Sequence, residues 1–97
     1  MSAPAARVGD LTATGDAITG PGAPTVLIGD QPAARAGDLV SGASCVGSIT
    51  VGSGTVLLQG QPAARIGDTV LGNTPTSGSS VTTRVGGPGA PTVLIGG

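Results

Sequence analysis

The chain has 97 residues, the length of one domain (1–97), and carries four Arg against five Asp for a formal net charge of −1, with no His, Lys, Phe, Trp or Tyr. Without His, Lys, Tyr or Glu the inventory for general acid–base catalysis is almost empty, and without a basic patch nucleic-acid binding lacks its electrostatic footprint. No apolar run is long enough to span a bilayer, no basic amphipathic segment is present, and the opening MSAPAARVGD has no apolar signal core, so the sequence argues against membrane insertion and signal-dependent secretion.

Gly supplies 19 residues and Pro 8, a content at which low-complexity and disordered chains begin. Set against disorder are the 38% apolar share, the low charge and regularly phased Thr-Val-Leu blocks. The core is expected to be thin, because no aromatic ring contributes its large buried area and glycine raises the entropic cost of ordering. Stability is therefore expected from an unusually compact fold and, in part, from a partner.

Residues 1–10 contain Pro4-Ala5-Ala6-Arg7-Val8-Gly9-Asp10, read as a strand end followed by a turn that Gly9 permits. Residues 11–24 form a loop rich in turn formers, with Asp16 read as a turn residue. Thr25, Val26, Leu27 and Ile28 make a short strand, Val26 and Ile28 on one face and Thr25 and Leu27 on the other, neither face strongly polar. A turn at Gly29-Asp30-Gln31 leads into Pro32-Ala33-Ala34-Arg35-Ala36-Gly37-Asp38, and the two segments read as a β-hairpin. Residues 39–54 are a second loop holding Cys45, the only cysteine, with a candidate strand at Ser48 to Val51. Thr55, Val56, Leu57 and Leu58, a turn at Gln59-Gly60-Gln61, and Pro62 to Asp68 repeat the hairpin. Residues 69–91 are the longest loop, with a weak strand at Val81 to Val85. Thr92, Val93, Leu94 and Ile95 then close the chain inside GPGAPTVLIG (87–96), which is identical to residues 20–29. No stretch holds helical periodicity for the length that a helix needs.

Two copies of the strand-plus-motif unit are thus intact, at 25–38 and 55–68, and the third is divided between the two ends of the chain. An open repeat array would carry atypical capping units at its ends. A split third copy instead predicts a closed, pseudo-threefold, all-β object of three hairpins, the third completed by pairing of the N- and C-terminal segments.

The three Pro-Ala-Ala-Arg-x-Gly-Asp blocks joined to three Thr-Val-Leu strands resemble the PAAR-repeat family, over nearly the whole chain. The resemblance implies a small cone that caps the blunt end of a trimeric β-helical spike, one cone per trimer. Such spikes belong to type VI secretion systems, contractile phage tails and related injection particles. It implies assembly in the cytoplasm, delivery on a virion tail or secreted particle, and transient membrane contact during piercing. A trimeric β-helix ends in three unpaired strand edges, and three similar hairpins on one chain can meet all of them. Thr25–Ile28, Thr55–Leu58 and Thr92–Ile95 are the expected base of the cone, with core on one side and spike on the other. The motif residues Pro4, Arg7 and Asp10, Pro32, Arg35 and Asp38, and Pro62, Arg65 and Asp68 have two readings. Their charges either contact the spike or pair within the chain at the hairpin junctions.

Many members of that family hold zinc near the apex with three His and one Cys, the first His two residues after a Gly-Asp. Here Thr12 stands at that position and Cys45 lies in a context similar to the family's cysteine. One thiol cannot build a four-ligand site, so no zinc and no other cofactor is expected, Cys45 is expected to be a small buried residue, and the apex is expected to be held by turns, hydroxyls and apolar packing. Asp carboxylates at the axis leave a metal bound without histidine open, although no motif supports it. Some relatives carry fused effector domains; because both termini are used by the repeat, any cargo is expected to be a separate chain, with the protein as its adaptor. A glycine-rich calcium-binding repeat is a further alternative, but its Gly-Asp steps recur every nine residues and those here about thirty apart.

Overall fold

The computed structural model describes residues 3–28, 30–58, 60–87 and 89–95, all of them strand, bridge, turn or coil. Three two-stranded antiparallel sheets carry the repeated motif. β1 (Ala3–Ala5) pairs with β12 (Ala90–Ile95), β4 (Ala23–Ile28) with β5 (Gln31–Ala33), and β8 (Leu57–Leu58) with β9 (Gln61–Pro62). The split third copy is therefore assembled from the two ends of the chain. Its junction residues Met1, Ser2, Gly96 and Gly97, and the turn residues Gly29 and Gln59, lie outside the described residues. Two strands begin earlier than the Thr-Val-Leu pattern suggests, at Ala23 and Ala90. The middle one begins later, at Leu57, because the buried Ser53 Oγ accepts bonds from the Thr55 and Val56 amides and turns the chain there.

Three alanines set the symmetry. The Ala6 amide donates to the Ala64 carbonyl, Ala64 to Ala34, and Ala34 to Ala6, each at 3.0 Å, so the three motifs close a ring of backbone hydrogen bonds. All three alanines are fully buried. Bridges between Ala5 and Arg65, Arg7 and Ala33, and Arg35 and Ala63 flank the ring. Each motif then turns in the same way. The Asp10, Asp38 and Asp68 amides donate to the carbonyls of Arg7, Arg35 and Arg65, and the intervening Gly9, Gly37 and Gly67 sit at φ of 98°, 95° and 95°. Positive φ at the third position of a four-residue turn marks type II, which requires glycine there.

The segments expected to be loops are instead the wall of a barrel. β2 (Leu11–Thr12), β3 (Ala17–Gly20), β6 (Leu39–Ser41), β7 (Val46–Ile49), β10 (Thr69–Asn73) and β11 (Ser80–Gly87) form a closed sheet in the order β10-β11-β2-β3-β6-β7. The loop reading of 11–24, 39–54 and 69–91 is corrected accordingly. The candidate strand at Ser48–Val51 lies instead at Val46–Ile49, since its pairing with β6 ends at Ser48 and that with β10 at Ile49. The weak strand at Val81–Val85 extends to Ser80–Gly87 and, at eight residues, is the longest among the described residues. Closure brings backbones very near one another. A Cβ on Gly47 would collide with the Leu71 carbonyl, and one on Gly72 with the Val46 carbonyl.

The barrel interior holds one apolar cluster of Ile18, Val40, Ile49, Val70, Val85 and Cys45 with the three ring alanines. On the other side of the ring a smaller cluster joins Ala5, Ala63 and Ile95 to the half-buried Ile28, Val56 and Leu58. The result is an all-β cone with no helix among the described residues, and so none long and apolar enough to cross a membrane.

Candidate functional site

Two regions carry features beyond folding: the outer face of the three hairpins, and the barrel end opposite them. At the hairpins, strand alternation sends Ile28, Leu58 and Ile95 inward to the lower cluster. Their neighbours point away. Leu27 and Leu57 are 60% and 61% exposed, while Val93, two residues before Ile95 and so on the same face as it, is 37% exposed. Thr55 is exposed, and Val26 and Val56 are half-buried. The side chains of Thr25, Thr92 and Leu94 lie outside the described residues. Each hairpin is a two-stranded sheet, so β4, β8 and β12 each pair on one side only among the described residues. Sequence reasoning gave the expected base strands two apolar faces: the inner one joins Ile28, Val56, Leu58 and Ile95 in the lower cluster, and the outer one leaves Leu27 and Leu57 exposed.

Behind this surface the motif residues are tied within the chain. Each motif aspartate accepts a bond from the amide of its own arginine, at 2.9 Å for Arg7, 2.7 Å for Arg35 and 2.7 Å for Arg65. The arginine heads then diverge. Arg65 reaches Asp68 through Nε at 3.3 Å and Nη2 at 3.0 Å, and Arg7 reaches Asp10 through Nη2 at 3.4 Å. Asp38 turns its Oδ1 to the Gly22 amide at 3.2 Å, and no ion pair to Arg35 is formed among the described residues. The Pro carbonyls join neighbouring motifs, Pro32 accepting from Val8, Pro62 from Ala36 and Pro4 from Ile66 at 2.8–2.9 Å.

The barrel end is centred on a residue that sequence reasoning took for a turn. Asp16 is 1% exposed. Its Oδ2 accepts the Thr12 hydroxyl at 3.0 Å and the Thr14 hydroxyl at 2.5 Å, and its Oδ1 accepts the Ser44 and Cys45 amides at 3.1 and 2.9 Å. Thr14 Oγ1 is in turn 3.4 Å from Thr83 Oγ1 on β11. Gly42 leaves the room this needs, since a Cβ there would strike the carboxylate. Burial is the largest influence on Asp16 and pushes its pKa up, but the bonds from Thr14, the Cys45 amide, Thr12 and the Ser44 amide together hold it below the ordinary 3.8. Cys45 is fully buried, and its thiol pKa is raised, first by burial and then by the charge of Asp16. Thr12 and Cys45 thus converge on one carboxylate. Among the described residues no group of three or more His, Cys, Asp or Glu side chains lies close enough to share a metal ion, and no ligand-sized cavity opens.

A protein-family model described as PAAR motif matches residues 8–75, more than two thirds of the chain. No curated protein matches it.

Proposed function

The chain belongs to the PAAR-motif family of spike-tip proteins, and from that premise we propose that residues 1–97 form one domain that caps and sharpens a trimeric β-helical spike, one tip per trimer. The observation that carries this reading is the closed alanine ring. It lets one chain present three related hairpins about a single axis, the symmetry a trimeric partner requires. Leu27 and Leu57 supply exposed apolar area at equivalent places, and the unpaired strand edges supply main-chain donors and acceptors for strand addition. The family is a structural one, and the proposed role involves no catalysis. The tip is assembled on its spike in the cytoplasm and leaves with the injection particle.

A second role, as adaptor for a separately encoded effector, is favoured by the outer barrel wall. There Leu39 and Leu71 flank Ser48 across three adjacent strands and remain 57% and 46% exposed, away from the hairpin face.

Size exclusion with light scattering of the tip mixed with a spike-trimer fragment tests the main reading. One chain per trimer, with a raised melting temperature for the complex, is expected. Three chains per trimer, or no association, would overturn it.

A further inference from the structure

The zinc that the family resemblance implies does not fit the residues at this barrel end. The chain has no histidine, the Thr12 hydroxyl is directed at Asp16, and the single thiol is buried and biased toward its protonated form, which is not the metal-binding one. We propose that Asp16 does the work of a metal centre in this chain: its buried carboxylate is a fixed anion that cross-links the β2–β3 connection to the β6–β7 connection and, through Thr14, reaches β11.

The argument rests on where the pseudo-threefold symmetry breaks. Two residues after the motif aspartates stand Thr12, Val40 and Val70, all buried. Two of these equivalent positions are apolar and the third is a hydroxyl, and the hydroxyl is the one that donates to Asp16. A buried carboxylate carries a large desolvation cost unless hydrogen bonds compensate it. Asp16 receives four donors from two stretches of chain: its own turn, through Thr12 and Thr14, and the adjacent Ser44 and Cys45 amides, which lie 28 and 29 residues away in sequence. The Asp16 amide also returns a bond to Thr12 Oγ1 at 3.1 Å, which fixes the threonine rotamer. A four-donor, multi-segment arrangement has the connectivity of a tetrahedral metal site with the charge inverted: the centre is the anion and the ligands are N–H and O–H groups. It also needs nothing from outside the chain. This inference is independent of spike docking and can fail or hold without it.

The test uses the full-length protein and three readouts: melting by circular dichroism, amide exchange at Ser44 and Cys45, and alkylation of Cys45. The wild-type melt is expected to be unmoved by EDTA or by added zinc chloride. Asp16→Asn replaces an acceptor oxygen with a donor that faces other donors, and is expected to lower Tm by roughly 5–10 °C. The same change is expected to speed Ser44 and Cys45 exchange and Cys45 alkylation at least about tenfold, as loss of a bond to a charged group implies. Thr12→Val, which places at residue 12 the side chain already present at 40 and 70, is expected to give a smaller loss in the same readouts, and serves if Asp16→Asn does not fold. A melt that EDTA lowers or zinc raises would overturn the proposal. So would an Asp16→Asn or Thr12→Val protein whose Ser44 and Cys45 amides exchange as in wild type.

Discussion

The alanine ring makes the sharpest prediction about the fold. Ala34 is fully buried, and its backbone both donates to Ala6 and accepts from Ala64 at 3.0 Å, so its Cβ sits where three chain segments meet. Ala34→Leu adds three carbons at a point where the surroundings belong to two other motifs locked by the same bonds. Overpacking a filled core costs about 1–3 kcal/mol. For a domain of this size, each kcal/mol lowers Tm by about 4–8 °C, so the loss is expected to be roughly 5–20 °C. The control lies two residues away. Ala36 is half-buried in the type II turn, and the equivalent positions in the other motifs are already Val8 and Ile66, so Ala36→Val is expected to stay within about 0.5 kcal/mol of wild type. Thermal and urea unfolding followed by circular dichroism measure both. If the two variants melt alike, the axis is not close-packed and the ring is not what holds the three motifs together.

Acid unfolding tests the buried carboxylate from a second direction. The folded-state pKa of Asp16 lies below 3.8, so its contribution is fully present above that value and is lost as pH falls through the folded-state value. Wild type is therefore expected to lose more stability than Asp16→Asn between pH 5 and pH 2, and parallel curves would refute the linkage; Cys45, the other titratable group facing it, has a raised pKa and is neutral over that range. For the hairpin face, docking that buries the exposed 60% of Leu27 and 61% of Leu57 gains about 1–2 kcal/mol from each. Leu27→Asp with Leu57→Asp is thus expected to weaken spike binding by at least roughly thirtyfold in Kd while leaving the free protein's melt near wild type, and unchanged binding would move the docking surface elsewhere. Gly47→Ala should cost about 1–3 kcal/mol in urea unfolding because its Cβ meets the Leu71 carbonyl. Gly54→Ala, with open space around it and no positive φ, should be neutral.

The hairpins were legible because their signals are local and repeated: a β-branched run, a turn, and a motif recurring three times. Even the pairing of the two chain ends followed from the split third copy. The barrel was not legible by the same means. Its strands are mostly two to five residues long and contribute one or two inward side chains each, such as Val40, Ile49 and Val70, too few for alternation to register. In β11 the alternation does exist, as half-buried Val81 followed by buried Thr83, Val85 and Gly87, but a threonine and a glycine on the inner face disguise it. One signal could have revealed the barrel: the residues that follow each motif, Leu11-Thr12, Leu39-Val40 and Thr69-Val70, repeat as regularly as the motif itself. The Asp16 cluster had no such signal. Its amide donors lie 28 and 29 residues away, and Thr83 lies 69 residues from Thr14, so only the closed sheet brings them together.

Symmetry in this molecule is graded along its axis, and the gradient bears on function. At the ring the three motifs are chemically identical, Ala6, Ala34 and Ala64 with the same bonds at the same length. One layer into the barrel, Ile18, Ile49 and Val85 keep equivalent bonds, each amide donating to a motif aspartate carbonyl at 2.9–3.0 Å, but their side chains already differ. At the next layer Thr12 departs from Val40 and Val70, and beyond it Asp16, Ser44, Cys45 and Thr83 make contacts that no other repeat copies among the described residues. Close packing on the axis explains why the three ring positions are all alanine, but it does not require the strands outside the ring to resemble one another. Outside the ring, β8 is shorter than β4 and β12, yet Leu27 and Leu57 stay alike and exposed, as expected where a threefold partner meets that end and nothing threefold meets the other. On this reading the far end was free to replace symmetric packing with a single buried anion, and the exposed leucines at 27 and 57 remain alike because one surface must fit both.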